Sequence, residues 1–267
     1  MAKVVISHRL HDDGMAVLEN AGVDVVITNS GDPKVMLPEL KDADGVIIRI
    51  GSIDRETMEQ CPKLKVIGRP GVGVDDVDVE AAIELGIPVV IAPGANSRSV
   101  AEHAMAMMFA CAKDMMRSDR EMRKGNFGIR SSYKAYELGG KTLGLLGYGH
   151  IGSIFAGMAA GIGMKVLVYD PFISGGIVDE AALNKALDEN WIHSAGTDVV
   201  VHEPIDPADP IFHHDNIVVT PHMAGQTREA ASGVATLAAE GTVAVISGQK
   251  WDKVCNPKAY EHPRWNK

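Results

Sequence analysis

Paired cysteines are absent from this sequence: Cys61, Cys111 and Cys255 are an odd number at wide spacing. No Cys-x-x-Cys suggests a metal or redox site, and the three read as thiols of a reducing compartment. Positive charge is scarce as well. Lys and Arg total 26 against 35 Asp plus Glu, a net charge of −9, so no basic field exists to hold a polyanion and no nucleic-acid partner is expected. Long apolar runs are missing too: none reaches the ~18 residues of a membrane span, and the opening Met1-Ala2-Lys3-Val4-Val5-Ile6-Ser7 is too short for a signal peptide. A cytoplasmic chain with no membrane partner is expected. Aromatics make up 5% of residues while Met numbers 13, which points to a soft, aliphatic core. His8, His11 and the adjacent His213 and His214 lack the spacing that would bring them onto one ion, so no metal is expected.

What the chain has is alternation. Short runs rich in Val and Ile read as strands: Lys3 to Ser7, Val23 to Thr28, Gly45 to Ile48, Val66 to Gly68 and Val89 to Ala92. Between them lie helical stretches, Gly14 to Ala21, Ile53 to Gln60 and Val79 to Leu85, closed by Gly or Pro punctuation. A long helix is expected from Ser99 through Met122, opened by a Ser-x-x-Glu capping box at Ser99 and Glu102, with Met105, Met107, Met108, Met115 and Met116 as buried packing. A second unit follows. It holds a buried strand Lys141 to Leu146, a helix ending near Gly163, strand Lys165 to Tyr169, a helix Val178 to Glu189, strands Gly196 to Val201 and Ile217 to Thr220, and a last helix Arg228 to Ser247. Strand-helix repetition of this kind implies parallel sheets. The expected fold class is α/β with two Rossmann-like parallel-sheet domains, one from residues 1–98 plus 229–267 and the other from 99–228.

Gly147-Tyr148-Gly149-His150-Ile151-Gly152 is a Gly-x-Gly-x-x-Gly that follows a strand and opens a helix, and Asp170 ends the next strand. Together these meet the requirements of the dinucleotide fingerprint. Gly147 would permit the tight turn, Gly149 the approach of a pyrophosphate to the backbone, and Gly152 close helix-sheet packing. The helix start at His150 and Ile151 would supply N–H groups and a positive dipole end for the phosphates. Asp170 would accept hydrogen bonds from ribose hydroxyls and repel a 2′-phosphate, which favours NAD over NADP.

Two later segments place polar residues just past strands, where open α/β sheets bind ligands. They are Thr197-Asp198-Val199-Val200-Val201-His202-Glu203-Pro204 and Asn216-Ile217-Val218-Val219-Thr220-Pro221-His222. His222 could exchange a proton with a substrate hydroxyl, and Glu203 beside it would favour the charged ring. On these residues alone, a surface or structural histidine is the simpler reading.

Five runs in order resemble the D-isomer-specific 2-hydroxyacid dehydrogenases, above all their phosphoglycerate dehydrogenase branch. They are Val66-Ile67-Gly68-Arg69-Pro70-Gly71-Val72-Gly73-Val74-Asp75; Pro93-Gly94-Ala95-Asn96-Ser97 with Ser99-Val100-Ala101-Glu102-His103; Gly147 to Gly152; Gly175-Gly176-Ile177-Val178-Asp179-Glu180; and Thr220-Pro221-His222. The resemblance implies hydride transfer between NAD(H) and a D-2-hydroxy acid or 2-keto acid. His222 would be the proton donor, Glu203 its partner, and Asp198 the residue near the nicotinamide amide. Arg49, with Gly71, Val72 and Gly73, would receive the substrate carboxylate. The first domain becomes flavodoxin-like and substrate-binding, the second dinucleotide-binding, and a homodimer is expected. Ile50 and Asp76 depart from the family pattern, which has Ser and Asn there.

One part of the family plan is missing. Tyr169-Asp170-Pro171-Phe172-Ile173-Ser174 runs straight into Gly175-Gly176, where the family has further strand-helix units and a catalytic Arg. The dinucleotide domain is expected to be shortened after Asp170 by roughly two such units, on the order of 60 residues at ~30 each. Ser174 stands in place of the Arg, and Arg69 and Arg228 are the nearest candidate replacements. Three explanations stay open: a deletion, an incomplete sequence, or a sheet completed by a second copy. The loss also keeps alive a second functional reading, an NAD-binding regulatory or scaffold protein with weak or no turnover.

Overall fold

Five short strands, β1 (Lys3–Ile6), β2 (Asp24–Ile27), β3 (Gly45–Ile47), β4 (Val66–Gly68) and β5 (Val89–Val90), pair in parallel in the order β2-β1-β3-β4-β5. The structure is a computed structural model and describes residues 1–170, 187–189 and 192–266. Its chain divides into two compact units, Met1–Asn96 with Thr227–Lys267, and Ser97–Gln226.

The order in the first unit is the flavodoxin-like one. Every residue of β3 and β4 is buried, which is why these strands read as unbroken apolar runs: a parallel sheet is covered on both faces. One face carries Met36, Leu40, Met58, Leu64, Ala81 and Ile87. The other carries Met15, Leu18, Ala235 and Ala239. Helices α1 (Asp12–Asn20), α2 (Pro33–Leu40), α3 (Arg55–Glu59) and α4 (Val79–Glu84) fill the connections. Asp32, Asp54 and Asp78 cap the last three by accepting the N–H groups of Lys34, Thr57 and Ala81. Helix α2 is absent from the expected pattern because Pro33 and Pro38 break its signature; Pro33 is tolerated at the start, where its missing N–H has no intrahelical partner anyway. The C-terminal helix Arg228–Ile246 is long and apolar enough to match a membrane span by length and composition. It is the core helix of this unit, packed on α1 so closely that a side chain at Gly14 would strike the Ala235 backbone at 2.7 Å.

The second unit begins with α5 (Ser97–Ala112) and α6 (Met115–Arg123), where one long helix is expected. The break falls at Asp114, whose left-handed backbone has φ 53°. The helix also starts before Ser99, which therefore sits inside the first turn and is no cap. Met105 and Met108 pack with Ala112, Leu138, Ala159 and Met164 as expected. Met115 and Met116 are exposed, since the break resets the helical phase. Strand β6 (Thr142–Leu146), helix α7 (His150–Gly161) and strand β7 (Lys165–Tyr169) form one parallel pair, and β8 (Ala195–Thr197) with β9 (Ile217–Val219) forms another. Among the described residues the two pairs are separate two-stranded sheets. The expected link Pro171 to Gly176, with Ser174, and the expected helix up to residue 186 lie outside the described residues.

The separation corrects one expectation. Strand β6 is not buried: Leu146 is 83% exposed, and on β7 Leu167 is 67% and Tyr169 60% exposed. A strand of this composition normally lies inside a sheet covered on both faces, and among the described residues the only sheet partner of β6 is β7. Hydrogen exchange reads the contrast. Amides of β3 and β4 should exchange only with global opening of the first unit, and those of β6 and β7 orders of magnitude faster; equal protection in both units would contradict this account.

Candidate active site

Gly147 ends β6 with φ 95° and donates its N–H to Tyr169 O at 2.8 Å, a conformation that favours glycine. A Cβ on Gly152 would run into the carbonyl oxygen of Gly147, whereas the space above Gly149 is open to 4 Å. Gly149 is the N-cap of α7 and no side chain caps that end. The first-turn N–H groups of His150, Ile151 and Gly152 thus have no intrahelical acceptor. Asp170 reaches back to the same turn, accepting the Tyr148 N–H at 2.9 Å. The arrangement is one that an anionic group fits: closed below by glycine packing, open above, with N–H groups and a positive dipole end facing outward.

On the second strand pair, His222 follows β9 in a left-handed backbone, φ 51°, which costs a non-glycine residue about 1–2 kcal/mol. Its N–H is held by Asp198 O at 2.8 Å and Thr220 O at 3.0 Å. Its ring Nδ1 meets Glu203 Oε2 at 2.9 Å, and the other Glu203 oxygen accepts the Val200 N–H at 3.3 Å. An ionised Glu203 fixes the proton on Nδ1, so Nε2 is the ring atom left for exchange. Glu203, His222, Asp198, Thr220 and Phe212 line an open cleft of about 530 Å³, within the size range of small-ligand sites.

Asp198 sits beneath this turn rather than on its surface. Its side chain is 10% exposed. Oδ1 accepts from Thr220 Oγ1 at 2.6 Å and Met223 N at 2.9 Å, and Oδ2 from Ala224 N at 2.9 Å. Burial alone would push its carboxyl up, but the Thr220 hydroxyl and the two backbone donors outweigh it and hold the group below the usual carboxylate value. His103, on α5, adds a contact from Nε2 to Thr220 Oγ1 at 2.9 Å. Sequence reasoning quoted both His103 and Thr220 without a role. The signal on offer was their place in the motifs Ser99 to His103 and Thr220 to His222.

The remaining candidates lie in the first unit. Arg49 and Ile50 follow β3; the Arg49 N–H bonds to Ser7 Oγ at 2.9 Å, and the guanidinium donates to Arg9 O at 3.3 Å. Arg69 is engaged on every side, with Ile48 O at 2.6 Å, Gly73 O at 3.4 Å and Asp76 Oδ2 at 2.8 Å. Burial pushes the Asp76 carboxyl above its ordinary value although Arg69 opposes this. Arg69 is thus tied into its own turn through all three nitrogens. Within the glycine turn, the Gly71 N–H is taken by Arg69 O at 2.8 Å, which leaves those of Val72 and Gly73 facing out. Arg228 is exposed at the start of the C-terminal helix.

The sequence profile described as D-isomer specific 2-hydroxyacid dehydrogenase, catalytic domain, matches residues 4–256. The chain belongs to this family. A D-3-phosphoglycerate dehydrogenase of Methanocaldococcus jannaschii is 34% identical over 316 residues, covering 96% of this chain and 60% of the relative. A glyoxylate reductase of Korarchaeum cryptofilum is 30% identical over 277 residues, 81% of this chain and 83% of the relative. Against the phosphoglycerate dehydrogenases the chain spans only 49% to 60% of the relative's length. Among solved structures, a glyoxylate/hydroxypyruvate reductase of Sinorhizobium meliloti superposes with TM-score 0.82 at 21% identity, covering 96% of this chain and 98% of the other. An NAD-dependent formate dehydrogenase of Staphylococcus aureus does so with 0.81 at 23%, covering 95% and 98%. These show a shared Rossmann-type fold. The first alignment also measures the shortening: 96% of 267 residues is about 256, against 316 aligned positions, so about 60 positions of the relative face no residue here.

Asp198 yields an acid prediction. A carboxylate held below its unfolded value stabilises the fold fully above about pH 3.9 and loses that contribution as pH falls through the lower, folded value. Amide NMR signals of Thr220, His222, Met223 and Ala224 should persist down to about pH 4 and fade below it. In Asp198→Asn they should already be weak at neutral pH, with no acid transition; an unchanged transition would show that another group governs the turn.

Proposed function

We propose that this chain is an oxidoreductase moving a hydride between NAD(H) and a small D-2-hydroxy acid or its 2-keto acid. The observation that carries the reading is the His222–Glu203 pair at the cleft, a base oriented by a carboxylate through the ring nitrogen opposite the exchanging one. In oxidation Nε2 of His222 takes the substrate hydroxyl proton, and in reduction it returns a proton to the carbonyl oxygen. Glu203 stabilises the imidazolium formed in the first direction.

Gly147, Gly149, His150, Ile151, Gly152 and Asp170 are the proposed cofactor contacts, the open space over Gly149 admitting a pyrophosphate. A bound nicotinamide supplies the hydride chemistry there. Asp170, beside the turn, favours NAD over NADP. Asp198 is proposed to act chiefly by holding the turn that carries His222, its family contact to a nicotinamide amide requiring a lone pair beyond the three hydrogen bonds already accepted. Arg49, Val72 and Gly73 are proposed to bind the substrate carboxylate, with Gly71 shaping their turn. The proposal assigns the two units as substrate-binding (1–98 with 229–267) and dinucleotide-binding (99–228), in a cytosolic homodimer, the pairing resting on family resemblance alone.

The test begins with binding of NADH and NADPH by fluorescence, followed by a panel of 2-keto acids. Preferential NADH binding and its oxidation by a 2-keto acid is the expected result. Binding without oxidation by any acid would transfer the protein to the regulatory reading, and failure to bind either nucleotide would sink both. His222→Ala should lower turnover by roughly 10²–10⁴-fold while nucleotide binding is kept.

The glycines separate binding from packing. Gly149→Val should weaken NADH binding with Tm unchanged, whereas Gly152→Ala should lower Tm, since its Cβ meets the Gly147 carbonyl. The reverse pattern would mean that the nucleotide lies elsewhere.

A further inference from the structure

We propose that His103 is a positioning residue for the proton-transferring His222, acting through a partly buried hydrogen-bond chain, His103 to Thr220 to Asp198. The inference rests on the reading of His222 as acid/base. The chain's direction follows from counting protons. Asp198 is ionised and has none to give, so the single Thr220 hydroxyl hydrogen goes to Asp198 Oδ1 at 2.6 Å. Thr220 Oγ1 can then only accept from His103 Nε2, at 2.9 Å. His103 therefore carries its proton on Nε2.

The other end of the chain explains its use. Asp198 receives the N–H groups of Met223 and Ala224, immediately after His222, while its own carbonyl and that of Thr220 hold the His222 N–H. The left-handed backbone of His222 is therefore fixed from both sides by two residues that His103 ties to α5. The His103 side chain is 19% exposed; none of its observed contacts is with Glu203 or the His222 ring, so its influence on the proton donor runs through the turn. Chains of this kind polarise one another and lose more than one bond's worth when cut.

The experiment uses the full chain and four variants. His103→Leu removes the donor; His103→Gln keeps an N–H near the Nε2 position; Thr220→Val cuts the same chain from its far side; the fourth is the double variant His103→Leu/Thr220→Val. Expected for His103→Leu is a fall in kcat of about 10- to 100-fold, with KM for NADH essentially unchanged. His103→Gln should restore most of the loss, and the double variant should be no worse than the worse single one. A second readout needs no turnover: the ¹³C ring signal of His222, assigned by its loss in His222→Ala, should shift and broaden in His103→Leu and Thr220→Val and return in His103→Gln. If kcat and the His222 signal are untouched by His103→Leu, or Gln fails to rescue, or the two losses add, the proposal is overturned. Should no variant and no parent turn over any 2-keto acid, the dehydrogenase reading fails, and the ring signal still decides the role of His103.

Discussion

The carboxylate of Asp198 is the knot on which the cleft depends. Three donors converge on it from Thr220, Met223 and Ala224, and all belong to the turn after β9. A buried carboxylate with three donors is satisfied; with fewer it would be an unfavourable buried charge. The turn is thereby forced into one conformation, including the strained backbone at His222. A site of this kind stores about 1–2 kcal/mol of local strain that the surrounding hydrogen bonds offset. The result is an imidazole whose position is set by main chain and whose orientation is set separately by Glu203.

The two units show what a neighbouring strand contributes. In the first, each inner strand is hydrogen-bonded on both edges and covered on both faces. In the second, the two parallel pairs are separate sheets among the described residues; Leu143 and Val166 pack inward, while Leu146, Leu167 and Tyr169 face solvent. A shortfall of about 60 positions against the relative is the size of two strand-helix units. A strand-helix unit supplies both a sheet partner and the helix that covers it, so a chain short of such units would lack partners and cover together. What survives is local: a parallel pair with its connecting helix can hold a glycine turn, and a second pair can hold the His222 turn, because each turn is fixed by contacts within its own pair and α5.

The first unit was legible because burial on two faces leaves a plain mark, a run of Val and Ile closed by Gly. Its one missed helix, α2, hides behind Pro33 and Pro38, which deny a helical pattern although one of them suits a helix start. The break at Asp114 was not legible either, since apolar residues continue at helical spacing across it and no glycine announces the left-handed residue. Strand β6 misled for a different reason: its composition records a covered environment that this chain lacks. Residues of the candidate site were legible by motif, yet their couplings were not. His103 and Thr220 meet across 117 residues of sequence, and nothing local in either segment encodes that contact.

A missing Arg and a shortened sheet would carry different weights, and magnitudes separate them. A charge-assisted hydrogen bond to a carboxylate contributes about 1.5–3 kcal/mol, and each 1.4 kcal/mol is tenfold in rate or affinity. Loss of the guanidinium alone therefore costs on the order of 10- to 100-fold, comparable to or less than loss of general acid/base help. Arg69 is held by Ile48, Gly73 and Asp76 through all three of its nitrogens, so swinging it onto a substrate would break those contacts. A chain impaired only by the missing Arg would still turn over measurably. Complete absence of chemistry would then point to the cofactor side, where among the described residues β6 and β7 pair only with each other. The turn that carries His222 is independent of that side, because the hydrogen bonds that fix it come from Asp198, Thr220 and its own backbone.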